Sequence, residues 1–197
     1  MILNRLLILY ALALIGSPLK AMEHKKKKHT YLQSKPFKER LEMAATWVTG
    51  CDCVIEIGGA RNPISNYIKG IPITVIDPEI RTSERGLVTH IAKRFEHWQE
   101  PESIKTQKYA VVIMGLELYM QDNGWQKLYD LINRSDRTII EYSVQYKVAK
   151  RQVKAIVKSV DKEVTNHHEW DLSAHDFSKF AVVHPLRRMI CLETAPK

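Results

Sequence analysis

The chain has 197 residues, enough for one domain with extensions. Its formal charge of +8 is concentrated before residue 41, where nine of the 30 basic residues but only two of the 22 acidic residues lie. The rest of the chain is nearly neutral, which argues against a nucleic-acid partner for the domain. The three cysteines form neither a disulfide framework nor a CxxC metal pair, so we expect buried free thiols.

Residues 1–21 have the pattern of a secretory signal peptide. Arg5 precedes an uninterrupted apolar run of 11 residues, and Pro18 and Ala21 follow it. The run is shorter than the roughly 20 residues of an ordinary membrane span. An uncleaved membrane anchor and a buried N-terminal helix are the alternatives. We therefore expect an exported protein, periplasmic or secreted, or one that is membrane-anchored.

Residues 22–35 form a basic segment. Its four consecutive lysines repel one another and predict a disordered linker (Lys25, Lys26, Lys27 and Lys28). The alternative is a patch that binds an anionic membrane surface or a nucleic acid. The folded domain is expected to cover residues 36–197.

Hydrophobic periodicity predicts strands and helices that alternate along this domain. An amphipathic helix is expected at 36–50, where Phe37, Leu41, Ala44, Ala45 and Val48 keep helical spacing. Strands are expected at 53–57, 71–76, 86–92, 109–114, 137–142, 163–171 and 187–192. Further helices are expected at 62–67 (capped by Asn62, with Pro63 in the first turn), 97–105, 123–133, 146–160 and 174–180, and a polar loop at 78–85.

This order predicts an α/β fold, a doubly wound, mostly parallel seven-stranded sheet with helices on both faces. The last strand follows a short connection and is expected to be antiparallel. Ligands of such sheets bind outside the carboxyl ends of the strands. At that edge the sequence places Glu56 and a glycine pair after the first strand, and Asp77 after the second.

These residues resemble a known family, the class I S-adenosylmethionine-dependent methyltransferases. The family's first motif is an apolar strand, an acid and a GxGxG turn, which here reads VIEIGGARN over residues 54–62. Gly58, Ala60 and Asn62 stand at the three glycine positions. Asp77 matches the acid that ends the family's second strand, and YAVVIMGLELY over residues 109–119 is similar to its fourth motif.

The resemblance implies S-adenosylmethionine as cofactor. Gly58, Gly59 and Ala60 would let the backbone approach the cofactor's amino-acid tail and ribose. Glu56 would attract the cationic amino group, or alternatively cap the following loop. Asp77, followed by Pro78, would accept hydrogen bonds from the ribose hydroxyls, or alternatively be a turn residue. The remaining cofactor contacts are expected from a stacking ring and from the end of the fourth motif's strand (Phe95, Met114 and Gly115).

Methyl transfer needs positioning and desolvation more than a particular catalytic group. Glu117, Tyr119 and Glu141 follow strand ends and are candidates for substrate binding or proton removal, the alternative being polar cleft or loop residues. The acceptor, a small molecule or a protein, is unidentified. We expect no metal site, because adjacent strand residues such as His167 and His168 point to opposite faces. The competing hypothesis is a non-catalytic binding module on the same scaffold.

Overall fold

The computed structural model describes residues 35–59, 62–114, 120, 122–172 and 185–194. The helices of this part are α1 (Lys35–Trp47), α2 (Asp122–Arg134) and α3 (Lys147–Ser159). The strands are β1 (Cys53–Ile57), β2 (Ile73–Ile76), β3 (Ser83–Arg85), β4 (Val88–Ile91), β5 (Tyr109–Met114), β6 (Arg137–Ser143), β7 (Glu163–Asp171) and β8 (Leu186–Glu193). Three short 3-10 turns lie at Ile64–Asn66, Phe95–His97 and Glu102–Thr106.

The strands form one eight-stranded sheet with the order β3-β4-β2-β1-β5-β6-β8-β7. Strands β4, β2, β1, β5 and β6 are parallel, and β8 lies antiparallel between β6 and β7. The predicted α/β sheet with an antiparallel last strand is therefore confirmed. The additional strand is β3, which lies in the segment predicted to be a polar loop and pairs with β4 in a hairpin.

Both faces of the sheet are covered, which explains why β1 is buried along its whole length. Helices α2 and α3 pack on one face, where Leu128 and Ile156 lie fully buried. Helix α1 and the turn Ile64–Asn66 pack on the other, where Ala44 and Ile64 are fully buried against the central strands. The face of the sheet that α1 covers is called the α1 face.

Helix α1 runs antiparallel to β6. Arg137, the first residue of β6, donates to the carbonyls of Trp47 and Thr49 at the end of the helix, both at 2.9 Å. Near the start of the helix, Arg40 contacts Glu141 late in β6. The first turns of α1 therefore lie toward the carboxyl edge of the sheet, where a ligand is expected.

Two of the predicted helices are shorter than expected. The helix predicted at 62–67 is one 3-10 turn preceded by Pro63, and Asn62 does not cap it but donates to the Tyr67 hydroxyl at 3.3 Å. The helix predicted at 97–105 is interrupted by Pro101, whose extended ψ of 142° separates two 3-10 turns. The helix predicted at 174–180, the N-terminal segment and the linker up to residue 34 lie outside the described residues.

No helix in the described ranges combines the length and the apolar character needed to cross a membrane.

The three cysteines are free and buried, as predicted. Burial raises the pKa values of Cys53 and Cys191 to about 11. At pH about 8 we therefore expect a thiol reagent to label the native protein at least tenfold more slowly than a small free thiol, and to label all three cysteines after unfolding in urea. Colorimetric thiol titration with and without urea measures both rates. Rapid labelling of the native protein would contradict the buried placement.

Candidate ligand site at the carboxyl edge of the sheet

A glycine turn follows β1 at the carboxyl edge. Gly58 and Gly59 have φ values of +87° and +98°, a region that residues with a side chain rarely adopt. The Gly58 N–H donates to the Ile76 carbonyl at the end of β2 over 2.9 Å, and the Asn62 N–H returns to the Gly59 carbonyl over 3.2 Å. The turn is therefore tied to β2, beside the predicted ribose acid.

Glu56 lies directly beneath this turn. Its carboxylate is fully buried, and its two oxygens accept the Ile64 N–H at 3.0 and 2.9 Å. A Cβ on Gly59 would lie only 2.5 Å from Oε1 of Glu56, so the carboxylate fills the space that the missing side chain leaves. These contacts agree with the alternative that Glu56 caps the following loop. A contact with the amino group of a ligand stays a prediction.

The pKa of Glu56 is raised well above its ordinary value. Burial is the main cause, the Ile64 N–H opposes it, and the negative charge of Asp77 raises it further. A cation bound at this edge would act in the opposite direction and favour the ionised carboxylate.

Asp77 is half-buried at the tip of β2, and Pro78 after it is exposed. The Asp77 N–H donates to the Ile91 carbonyl at 3.1 Å, and Oδ1 accepts the Glu79 N–H at 2.7 Å. The second bond forms a turn closed by the side chain, which agrees with the turn-residue alternative. Hydrogen bonds to a ribose remain a prediction for this carboxylate.

Glu141 does not suit the predicted role in substrate binding or proton removal. It is fully buried on the α1 face, where Arg40 contacts Oε1 at 2.5 Å and the Arg187 guanidinium binds both oxygens. Burial alone would raise the pKa of Glu141, but Arg40 and Arg187 together lower it to about 2. A carboxylate held this way is a poor proton acceptor at neutral pH, and its place is structural.

Phe95 lies in the core and not on a ligand surface. Its ring centroid is 6.1 Å from that of Trp98, and the Lys127 ammonium lies 5.2 Å from its centre. Only 4% of Phe95 is exposed, because the chain turns inward under α2. Stacking on an adenine would require this ring to leave the core.

Glu96 follows Phe95 and is an acidic residue with a buried side chain. Its side chain is 1% exposed, and Oε1 accepts no hydrogen bond from the described part of the chain. Arg94 approaches this oxygen to 3.6 Å. The first turns of α2 pack close to Glu96, because a Cβ on Gly124 would lie 3.2 Å from its Cβ. An N–H donor from a ligand would satisfy this oxygen.

Met114 ends β5, is half-buried and packs on the α1 face. The other predicted site residues lie in stretches that the structure does not describe: Ala60, Gly115, Glu117 and Tyr119. Within the described ranges, no group of three or more His, Cys, Asp or Glu side chains could hold a metal ion. Sequence reasoning missed the arginine partners of Glu141, which are distant in the chain and carry no local signal.

The structure is similar to solved methyltransferases. It matches magnesium protoporphyrin IX methyltransferase from Synechocystis PCC 6803 with bound S-adenosylmethionine (TM-score 0.53, 11% identity, 87% of this chain and 97% of that one). It matches the N-methyltransferase NodS from Bradyrhizobium japonicum WM9 (TM-score 0.53, 12% identity, 88% and 98% covered). It also matches an rRNA methylase from Streptococcus thermophilus (TM-score 0.51, 11% identity, 83% and 99% covered).

No protein-family model and no curated protein sequence matches this chain. At such low identities the structural similarity defines the fold alone. The chain has the class I methyltransferase fold, and the resemblance seen in the sequence is confirmed at that level. The matched proteins have different acceptors in their names, so the fold does not select one.

Proposed function

We propose that this protein binds S-adenosylmethionine at the carboxyl edge of β1 and β2 and transfers its methyl group to an acceptor. The observation that carries the proposal is the turn at Gly58 and Gly59, which is held over Glu56 and tied to β2 beside Asp77. The bound cofactor of the Synechocystis enzyme, which has the same fold, supports the choice of ligand.

The residues present fit the chemical groups of this cofactor. The glycine turn offers backbone without side chains to the amino-acid tail, and a cationic ligand beside the Glu56 and Asp77 carboxyl groups would favour their ionised forms. Asp77 would accept from the ribose, and the buried Oε1 of Glu96 would accept from the adenine amine. The cofactor would supply an electrophilic methyl group, and the protein would orient it and exclude water.

Asp77→Asn is expected to weaken S-adenosylmethionine binding by about 10–100-fold, because hydrogen bonds to a charged acceptor contribute about 1.5–3 kcal/mol. Titration calorimetry with the cofactor and with its demethylated product measures the change. Asp52→Asn is the matched control. Its carboxylate also accepts a backbone N–H, from Lys108 at 3.0 Å, but precedes β1 at the opposite edge of the sheet. No binding at millimolar cofactor, or equal losses in both variants, would contradict the proposal.

The second candidate is a module that binds the ligand without turnover. It is favoured by Glu141, the one predicted proton acceptor that the structure describes, because its charge is already bound by two arginines. One measurement distinguishes the two candidates. Radiolabelled cofactor is incubated with the protein and fractionated cell extract, and transfer of the label to each fraction is measured. Transfer of label that Asp77→Asn abolishes indicates an enzyme, whereas tight binding with no transfer to any fraction indicates the module.

A further inference from the structure

The exposed face of α3 is strongly basic. The helix carries five cationic residues and no acidic one among its 13 residues. All five are exposed: Lys147, Lys150, Arg151, Lys154 and Lys158. Because they recur every three or four residues, they form one stripe along the helix. At a rise of 1.5 Å per residue the stripe is about 16 Å long. This surface is called the α3 stripe below.

The stability of the helix does not explain the α3 stripe. Three pairs of its cations are four residues apart and two pairs are three apart, and like charges at these spacings repel. Lys147 and Lys150 also lie in the first turns, where the helix dipole disfavours positive charge. Within the described part of the chain no ion pair offsets this repulsion, whereas Arg134 and Arg188 elsewhere on the surface pair with glutamates.

The chemistry of the stripe fits a soluble polyanion. The apolar side of α3 is used in the core, with Ala149, Val153 and Ile156 buried. Among the described residues, the exposed large apolar side chains are Leu87 and Val164, and neither lies on this helix. A helix that inserts into a membrane surface needs a free apolar face, and the apolar side of α3 is already used in the core. Cations spaced about 4.5–6 Å apart along an axis suit the regularly repeated charges of a phosphodiester backbone.

We propose that the α3 stripe binds the phosphate backbone of a nucleic acid. The nearly neutral charge of the domain argued against such a partner, but that average conceals a helix on which every charged residue is positive. The stripe begins just after Ser143, the last residue of β6, and so starts at the carboxyl edge of the sheet. If methyl transfer occurs there as proposed, the nucleic acid would be the acceptor, but binding to the stripe does not depend on it.

Fluorescence anisotropy with a labelled single-stranded RNA of about 20 nucleotides tests this surface directly. The full-length protein is used, with Lys25, Lys26, Lys27 and Lys28 replaced by glutamine in every sample so that the N-terminal segment does not mask α3. The test variant combines Lys150→Gln, Arg151→Gln and Lys154→Gln. The control removes the same charges from exposed positions elsewhere (Lys69→Gln, Arg85→Gln and Lys108→Gln).

The test variant is expected to bind RNA at least about tenfold more weakly. The slope of log affinity against log salt should fall by about 2, since each phosphate contact on a single strand contributes about 0.7. The control should change less than about twofold, and the test variant should still bind S-adenosylmethionine. Equal affinities of the two variants, or α3-dependent binding to phosphatidylserine vesicles or polyglutamate without binding to RNA, would overturn the proposal. Melting temperatures no lower than that of the parent protein confirm that both variants fold.

Discussion

Replacing Glu141 with glutamine is expected to lower the free energy of unfolding by about 3–5 kcal/mol. The substitution leaves the guanidinium groups of Arg40 and Arg187, only 5% and 16% exposed, beside a neutral amide. Urea unfolding followed by tryptophan fluorescence measures the loss. The matched control is Glu169→Gln, because its ion pair with Arg188 is exposed and such pairs contribute about 0–1 kcal/mol.

If Glu141→Gln is no less stable than the Glu169→Gln control, the buried triad does not hold α1, β6 and β8 together. A large loss in both variants would instead indicate that the measured effect is not specific to the buried site. We expect wild type and Glu169→Gln to have similar free energies of unfolding, and Glu141→Gln to have a much lower one.

The same triad predicts a defined response to acid. Burial would raise the pKa of Glu141, but the two arginines hold it at about 2, below the ordinary 4.5. Because the folded pKa is the lower one, the stabilisation is fully present above about pH 4.5 and is lost as pH falls toward 2. At about 1.36 kcal/mol per pKa unit, it amounts to about 3 kcal/mol.

The stability difference between wild type and Glu141→Gln should therefore shrink as the pH is lowered from about 5 to 2. Acid affects the contribution of Glu56 to stability in the opposite direction. Because the pKa of Glu56 is raised, protonation relieves the energetic cost of its buried charge. Since both proteins contain Glu56, its contribution cancels in the comparison. A difference that stays constant over this range would contradict the depressed pKa of Glu141.

Gly59→Ala is expected to destabilise the fold by about 1–3 kcal/mol and to weaken S-adenosylmethionine binding at least about tenfold. Alanine would be strained at φ +98°, and its Cβ would lie 2.5 Å from the buried Glu56 carboxylate. Gly70→Ala is the matched control, because φ is +85° there but nothing lies within 4 Å of the added Cβ. Urea unfolding and calorimetry compare the two variants.

The double variant Gly59→Ala, Glu56→Ala separates the backbone strain at position 59 from the steric clash with the Glu56 carboxylate. Once the carboxylate is removed, the alanine at position 59 should cost about as much as the alanine at position 70, where only the backbone is strained. Strictly additive losses from the two substitutions would mean that Glu56 does not occupy the space beneath the turn.

The order of the strands could be predicted from the sequence because buried parallel strands leave continuous apolar runs. YAVVIM in β5 and CVIEI in β1 are examples, and both were located to within a residue. Strand β3 was missed because SER has no apolar pattern, and its place depends on pairing with β4. The helix expected at 97–105 is two 3-10 turns, because periodicity alone does not register that Pro101 interrupts the backbone.

In the candidate site, too, local features could be predicted from the sequence and contacts between distant residues could not. Glycines after a strand and an acid at the tip of the next strand are local features, and both lie at the predicted edge of the sheet. The partners of Glu141 could not be predicted, since Arg40 and Arg187 come from α1 and β8 and meet it only through folding. Phe95 was proposed as a ligand contact from its position after β4, but the inward turn of the backbone places it in the core.

The most direct test of the central claim is a crystal structure of the protein with the demethylated cofactor S-adenosylhomocysteine. The predicted result has both ribose hydroxyls within hydrogen-bond distance of Asp77 and the amino-acid tail over Gly58 and Gly59. A ligand bound elsewhere on the molecule, or none bound from millimolar solution, would contradict a methyl-donor site at this edge.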